Sequence, residues 1–295
     1  MANAVLAPAR ALTRAQLARW PLPQPGDDAD KEVRGHVLVM AGSDEIPGAA
    51  VLAAVAALRA GAGKLTMAAP ASIAQGLAMA IPESRVIALA QSRGGGLLAT
   101  GASALAEIAP DVSAVVLGPG MQDERRTVAM VRNVLPLFSH ATVVLDALAM
   151  SVARDGAFAQ PVVLTPHAGE MAFLTGRDKE SICAEPLAAA REAAAQWNAC
   201  VALKGGRTFI VLPDGQAWRF EQGRPGLATS GSGDTLAGLI AGLSARGLPP
   251  HAACAWGVMT HARAGAALSR IHGPLGYLAR ELAGEFPQQL HALHR

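Results

Sequence analysis

Short apolar runs that end in glycine turns, each followed by apolar residues at helical spacing, recur along most of this chain. His36 to Met40 reads HVLVM, breaks at Ala41-Gly42-Ser43 and leads into Pro47 to Ala60 with helical spacing, the first half of a βαβ unit. Lys64 to Ala68, Arg85 to Leu89, Val112 to Leu117, Thr142 to Leu145, Val162 to Leu164 and Val201 to Leu203 predict further strands. Between and after them, Ser72 to Met79, Ala102 to Ile108, Arg125 to Leu135, Met171 to Leu174, Glu185 to Asn198, the stretch after Asp234 and Ala252 to Leu268 predict helices. Phe209 to Leu212 and Ala217 to Phe220, joined across Asp214-Gly215, predict a hairpin. The order predicts a three-layer α/β/α sandwich whose mostly parallel central sheet carries an antiparallel hairpin in its C-terminal half.

Residues 1–30 read as an N-terminal helix and linker, and 31–295 as the main domain, with its first strand beginning after Gly35. Leu12, Leu17 and Trp20 predict an amphipathic helix started by Thr13, while the prolines, glycine and aspartates of Pro21 to Asp30 predict a linker. Arg10, Arg14 and Arg19 precede the first acid, Asp27, but no apolar core interrupts them as a secretion signal requires. The longest apolar run, Ile46 to Leu58, is too short to span a bilayer and stops at Arg59.

Composition narrows the class. With 51% apolar residues in 295 there is ample material for a core. Net charge is +2, and the 25 basic residues, only four of them Lys, are scattered rather than striped, which argues against nucleic acid as a partner. Cys183, Cys200 and Cys254 have no metal-ligand spacing, and their odd number argues against a disulfide framework; buried thiols and a cytoplasmic setting are expected.

The chemistry concentrates in Gly226 to Gly242, GLATSGSGDTLAGLIAG. Gly231, Ser232 and Gly233 allow backbone N–H groups to approach an anion at a helix start. Asp234 can serve as a plain helix cap, or as a base that takes a proton from a hydroxyl attacking a phosphate held by those groups. Lys204, before Gly205 and Gly206, can neutralise a phosphate or lie solvated ahead of the hairpin. Asp146 at a strand end, His167 and Glu170 at another strand-to-helix junction, and the turn Gly118-Pro119-Gly120 all fall where α/β sheets gather ligands. Each also has an ordinary structural reading as a cap or turn.

Taken together, TPHAGE, LKGGRT, GRPGLATSGSGDTLAG, AALRAGAG and GPG resemble the ADP- or ATP-dependent NAD(P)H-hydrate dehydratases of the ribokinase-like superfamily, from about Gly35 to the C-terminus. The resemblance implies repair of NADH or NADPH hydrate (NADHX or NADPHX). In that reaction a nucleotide's terminal phosphoryl group passes to the hydrate hydroxyl of the S form, and phosphate then leaves. It implies ADP, with ATP as the alternative donor, and Mg²⁺; a homotetramer; and a separate epimerase as pathway partner, about thirty residues being too few for a fused one.

The resemblance makes Asp234 the catalytic base and Gly231, Ser232 and Gly233 the anion hole. It places Lys204, Gly205, Gly206, Arg207 and Thr208 on the nucleotide, and Gly48, Ala49, Gly120 and His167 beside the hydrate. The metal ligands stay unassigned, with Asp146 and Glu170 as candidates acting through water. The chain departs from the family pattern at Leu148, where DADAL has its second Asp, at Arg224 for the Asn of NPG, at Ser230 for a Gly, at Met121-Gln122 and at Asp30-Lys31-Glu32. Two other readings stand at this point: a small-alcohol kinase of the hydroxyethylthiazole type, and a catalytically silent nucleotide-binding protein.

Overall fold

A computed structural model describes residues 7–26, 28 and 30–294. In chain order the elements are β1 (Arg10–Ala11), α1 (Arg14–Leu17), β2 (His36–Met40), α2 (Pro47–Arg59), β3 (Lys64–Pro70), α3 (Ala71–Ala80) and β4 (Ser84–Leu89). There follow β5 (Ala114–Leu117), α4 (Glu124–Val134), β6 (Thr142–Leu145), β7 (Val162–Leu164), α5 (Ala168–Thr175), α6 (Lys179–Ala184) and α7 (Pro186–Trp197). The chain closes with β8 (Cys200–Leu203), β9 (Thr208–Val211), β10 (Ala217–Phe220), α8 (Ser232–Ala245), α9 (Pro250–His272) and α10 (Ala279–His294).

Among the described residues the strands form one ten-stranded sheet in the order β1-β10-β9-β8-β7-β6-β5-β2-β3-β4. β2 to β8 pair in parallel and the β9–β10 hairpin is antiparallel, as the sequence pattern predicts. Successive side chains point to opposite faces, so Val37 and Val39 join the core beneath α2, α8, α9 and α10, while Leu38 and Met40 join the core beneath α4 and α7. This two-sided burial explains why the parallel strands are continuously apolar rather than alternating.

Two glycines fix the seat of α8. A Cβ at Gly238 would lie 2.0 Å from the Ala53 carbonyl oxygen, and one at Gly242 would lie 2.5 Å from that of Ala57. The Ala-rich α2 can therefore approach α8 only because these positions carry no side chain, and that approach positions the α8 N-terminus.

Three local expectations differ from the structure. Thr13 does cap α1, its Oγ1 accepting from the Gln16 N–H at 3.2 Å, but the helix is one turn long. Just before it, Arg10–Ala11 pairs in parallel with Trp218 and Arg219, extending the sheet beyond the hairpin. The helix predicted over Ala102 to Ile108 is instead a 3-10 helix at Ala99–Leu105, where Thr100 and Gly101 disfavour the α form, with a second turn at Ala109–Asp111. Finally, Cys200 and Cys254 are buried free thiols, whereas Cys183 is exposed.

Candidate active site

The carboxyl ends of β6, β7 and β8 bring three separated sequence segments together. Asp146 follows β6 directly, Thr165-Pro166-His167 follows β7, and Lys204 follows β8. The Lys204 N–H donates to the Pro166 carbonyl at 2.7 Å, which holds the ends of β7 and β8 in register. Asp146 is 3% exposed and accepts hydrogen bonds from Thr165 Oγ1 at 2.5 Å and from Lys204 Nζ at 3.2 Å. Lys204 Nζ also lies 3.8 Å from Glu170 Oε2.

Glu170 and His167 cap α5 reciprocally: the Glu170 N–H donates to His167 Nδ1 at 3.1 Å, and the His167 N–H donates to Glu170 Oε2 at 2.8 Å. His167 is thus a cap by geometry, and its exposed ring lines the cleft as well. Burial alone would lower the Lys204 pKa, but the Asp146, Glu170 and Asp234 carboxylates outweigh it and hold it above the ordinary lysine value.

Helix α8 sets its N-terminus on this ion pair. Gly231 has φ +85°, and a Cβ there would meet Leu52 Cδ1 at 2.4 Å, so both backbone and space require glycine. A Cβ at Gly233 would lie 3.3 Å from Lys204 Nζ. Asp234 is the third residue of α8 and not its cap, contrary to the plain capping reading. Its pKa is raised to about 7, by burial first and by the Asp146 and Glu170 charges, with Lys204 opposing. A carboxylate poised there accepts a proton near neutral pH. Among the described residues, the Gly233 and Asp234 N–H groups donate to no backbone carbonyl outside the helix, whereas that of Ser232 donates to Thr229 O at 3.2 Å.

These groups border a cavity of about 740 Å³, lined also by Gly205, Gly206 and Thr208. Arg207 is exposed and outside the lining, although it belongs to the same predicted segment. The opposite wall, which the sequence reading did not assign, is partly apolar: Phe220, Leu227 and Val258, with Arg224 at the rim and His261 at depth. Gly48, Ala49 and Gly120 do not line this cavity. Ala49 and Gly120 meet, with Gly48 next to Ala49 in the chain, at the switch point where β2 is flanked by β3 and β5: the Gly42 N–H donates to Pro119 O at 2.7 Å, and a Cβ at Gly120 would lie 2.6 Å from Ala49 Cβ. Gly231, touching Leu52 one turn along α2, connects the two regions, with Asp234 Oδ2 turned towards it.

Leu148 lies apart from Lys204, in a smaller cavity of about 300 Å³ with Met150 and Phe173, bordered by His167 and Glu170. Among the described residues, no three His, Cys, Asp or Glu side chains group as a metal cage. Asp146 and Glu170 are instead committed to Lys204, a donor set that fits a magnesium ion held chiefly by nucleotide phosphates and water. No helix among the described residues is long and apolar enough to cross a membrane.

The family profile described as NAD(P)H-hydrate dehydratase matches residues 37–288. Over 286 residues, 97% of this chain and 98% of the relative, the sequence is 46% identical to the ADP-dependent (S)-NAD(P)H-hydrate dehydratase of Xanthomonas campestris pv. campestris. It is 38% identical over 288 residues to the bifunctional NAD(P)H-hydrate repair enzyme of Moorella thermoacetica, spanning 96% of this chain and 54% of that protein. The crystal structure of ADP/ATP-dependent NAD(P)H-hydrate dehydratase from Bacillus subtilis, co-crystallised with ATP and Mg²⁺, superposes with a TM-score of 0.82 at 29% identity, covering 97% of this chain and 99% of that one. With sequence and fold agreeing across nearly the whole length, the chain belongs to the NAD(P)H-hydrate dehydratase family, with a ribokinase-like fold.

Proposed function

We propose that this protein dehydrates the S form of NADH or NADPH hydrate at the expense of ADP, with Asp234 as the base for phosphoryl transfer. The observation that carries this reading is Asp234, with its pKa raised to about 7, at the N-terminus of α8 beside the Lys204 ammonium. The 740 Å³ cavity accommodates the nucleotide, with Phe220, Leu227 and Val258 against its base and Gly205, Gly206 and Thr208 against its polar part. The hydrate approaches from the switch point at Gly48, Ala49 and Gly120, with His167 at the neighbouring edge, so that Asp234 stands between donor and acceptor.

The hydrate hydroxyl oxygen attacks the terminal phosphorus of ADP while its proton passes to Asp234, and the bond to the departing AMP breaks. The N–H groups of Gly233 and Asp234 and the Ser232 hydroxyl receive the charge that develops on the moving phosphoryl group, and one such donor is typically worth about 3 kcal/mol. Hydroxide is a poor leaving group and phosphate a good one. The ring nitrogen lone pair assists the departure of phosphate, and loss of a ring proton restores the dihydronicotinamide. Asp146 and Glu170 are the residues that would hold a magnesium ion entering with the nucleotide, through water, and the ion would supply neutralisation of phosphate charge. A cytoplasmic setting, a homotetramer and an epimerase as pathway partner belong to the same reading.

The test follows absorbance at 340 nm after adding NADH hydrate, Mg²⁺ and either ADP or ATP. Recovery of the reduced-nicotinamide band with release of phosphate supports the dehydratase reading and identifies the donor. A stable phosphorylated product without recovery establishes the kinase reading, and ADP binding with neither outcome establishes the silent binder.

A further inference from the structure

Behind the anion-binding turn stands a buried histidine that the mechanism has not used. His261, on α9, is 7% exposed. Its Nε2 lies 3.1 Å from the Ser232 carbonyl oxygen, 3.2 Å from Ser232 Oγ and 3.4 Å from Thr235 Oγ1. A carbonyl oxygen can only accept, so this contact requires the hydrogen on Nε2. Burial, with Lys204 adding to it and the Ser232 carbonyl opposing, pushes the His261 pKa down to about 4, so the ring is neutral and Nδ1 carries no proton. Thr235 Oγ1 donates to the same carbonyl at 2.8 Å.

This assignment fixes what Ser232 can do. Its N–H is spent on Thr229 O, so it cannot serve an anion. Because Nε2 already carries a hydrogen, Ser232 Oγ can accept from His261 but cannot donate to it. The hydroxyl proton is left for an acceptor on the other side, and Ser232 lines the cavity there. Ser232 therefore presents a hydroxyl donor rather than a backbone donor, and the histidine behind it selects that orientation.

We propose that His261 is a positioning residue for phosphoryl transfer: by donating from Nε2 to Ser232 it fixes the first turn of α8 and directs the Ser232 hydroxyl proton onto the nucleotide's terminal phosphate. The proposal rests on the dehydratase reading. His261 borders the same cavity at depth, but its Nε2 hydrogen is committed to Ser232, so its effect passes through Ser232. A histidine that only filled space against Phe286, whose ring centroid is 6.3 Å away, would affect stability without this coupling.

The experiment measures kcat with NADH hydrate and ADP at 340 nm, and the ADP dissociation constant by calorimetry, for wild type, His261→Leu, His261→Gln, Ser232→Ala and the His261→Leu/Ser232→Ala double variant. His261→Leu should lower kcat about 10- to 100-fold, less than or equal to the loss of a direct donor, while ADP affinity changes less than about threefold. His261→Gln, which keeps an N–H donor at similar reach, should recover most of the loss. In the Ser232→Ala background, His261→Leu should lower kcat little further, since residues acting as a unit are not additive. Undiminished kcat in His261→Leu, multiplying losses in the double variant, or no recovery in His261→Gln would each overturn the proposal. If His261→Leu does not fold, His261→Asn, whose amide is too short to reach Ser232, replaces it in the same comparison. A wild-type protein that restores absorbance with neither ADP nor ATP overturns the dehydratase reading instead.

Discussion

Asp234→Asn should abolish turnover and at the same time stabilise the free protein, and the second effect carries a sign that can be checked. Asp234 has its pKa raised from an ordinary 3.8 to about 7, by burial and then by the Asp146 charge. A carboxyl group whose pKa is higher folded than unfolded contributes stability that is complete below its unfolded value and is lost as pH rises through the folded one. Above pH 7 the ionised Asp234 therefore works against folding. The difference between 3.8 and about 7, at about 1.36 kcal/mol for each tenfold step, sets a ceiling of about 4 kcal/mol. Water reaching the cavity mouth reduces this to about 1–3 kcal/mol. For 295 residues that corresponds to a rise in Tm of about 2–5 °C. The assay is thermal unfolding of wild type and Asp234→Asn without nucleotide from pH 5 to 9, alongside turnover at 340 nm. The gain in Tm should grow with pH, while ADP still binds and turnover collapses. A gain independent of pH would refute the burial argument, and retained turnover would refute the role of base.

Lys204→Met should raise the ADP KM tenfold or more, as about 1.4 kcal/mol of binding is lost, and should move the acid limb of the kcat/KM profile upward, because Lys204 is the charge that opposes the raised Asp234 pKa. An acid limb that stays in place in that variant would refute the coupling. Gly238→Ala, placing a Cβ 2.0 Å from the Ala53 carbonyl, should cost about 1–3 kcal/mol or more as α8 is pushed from α2. Gly284→Ala on α10, which would meet nothing within 4 Å, should instead stabilise by about 0.5–1 kcal/mol in the same unfolding assay; equal effects at the two sites would refute the notch between α2 and α8.

What the sequence reveals depends on how much of each element's pattern is its own. His36–Met40, Thr142–Leu145 and Val162–Leu164 are legible because burial on both faces makes them wholly apolar against the turns that follow. Arg10–Ala11 is two exposed residues whose strand character comes from β10, a partner more than 200 positions away. Helix α10 carries Pro287 within it, a residue that argues against a helix when only its neighbours are known. At the site, GSGD and LKGG give Asp234 and Lys204 as candidates, yet the Asp146–Lys204 pair joins residues 58 apart and needs the parallel order of β6, β7 and β8. His261 sits among apolar residues of α9, and nothing in its spacing marks it apart from a core histidine.

The same geometry bears on the departures from the family pattern. Loss of a carboxylate at position 148 would strike at transfer if that side chain faced the phosphate, but Leu148 lies in the smaller cavity beyond Glu170. Arg224 is at the rim of the larger cavity, and Ser230 is exposed ahead of the Gly231 turn. The groups of the proposed transfer site are tied to one another instead: Thr165 and Lys204 hold Asp146, Lys204 packs beneath Gly233, and the glycines of α8 lock that helix onto α2. Leu148, Arg224 and Ser230 lie around this assembly, whereas the charge on Asp234 is set from within it by burial, Asp146, Lys204 and Glu170. A Leu148→Asp variant should therefore leave the acid limb of the kcat/KM profile near 7, and a shift comparable to that of Lys204→Met would show that position 148 belongs to the transfer machinery after all.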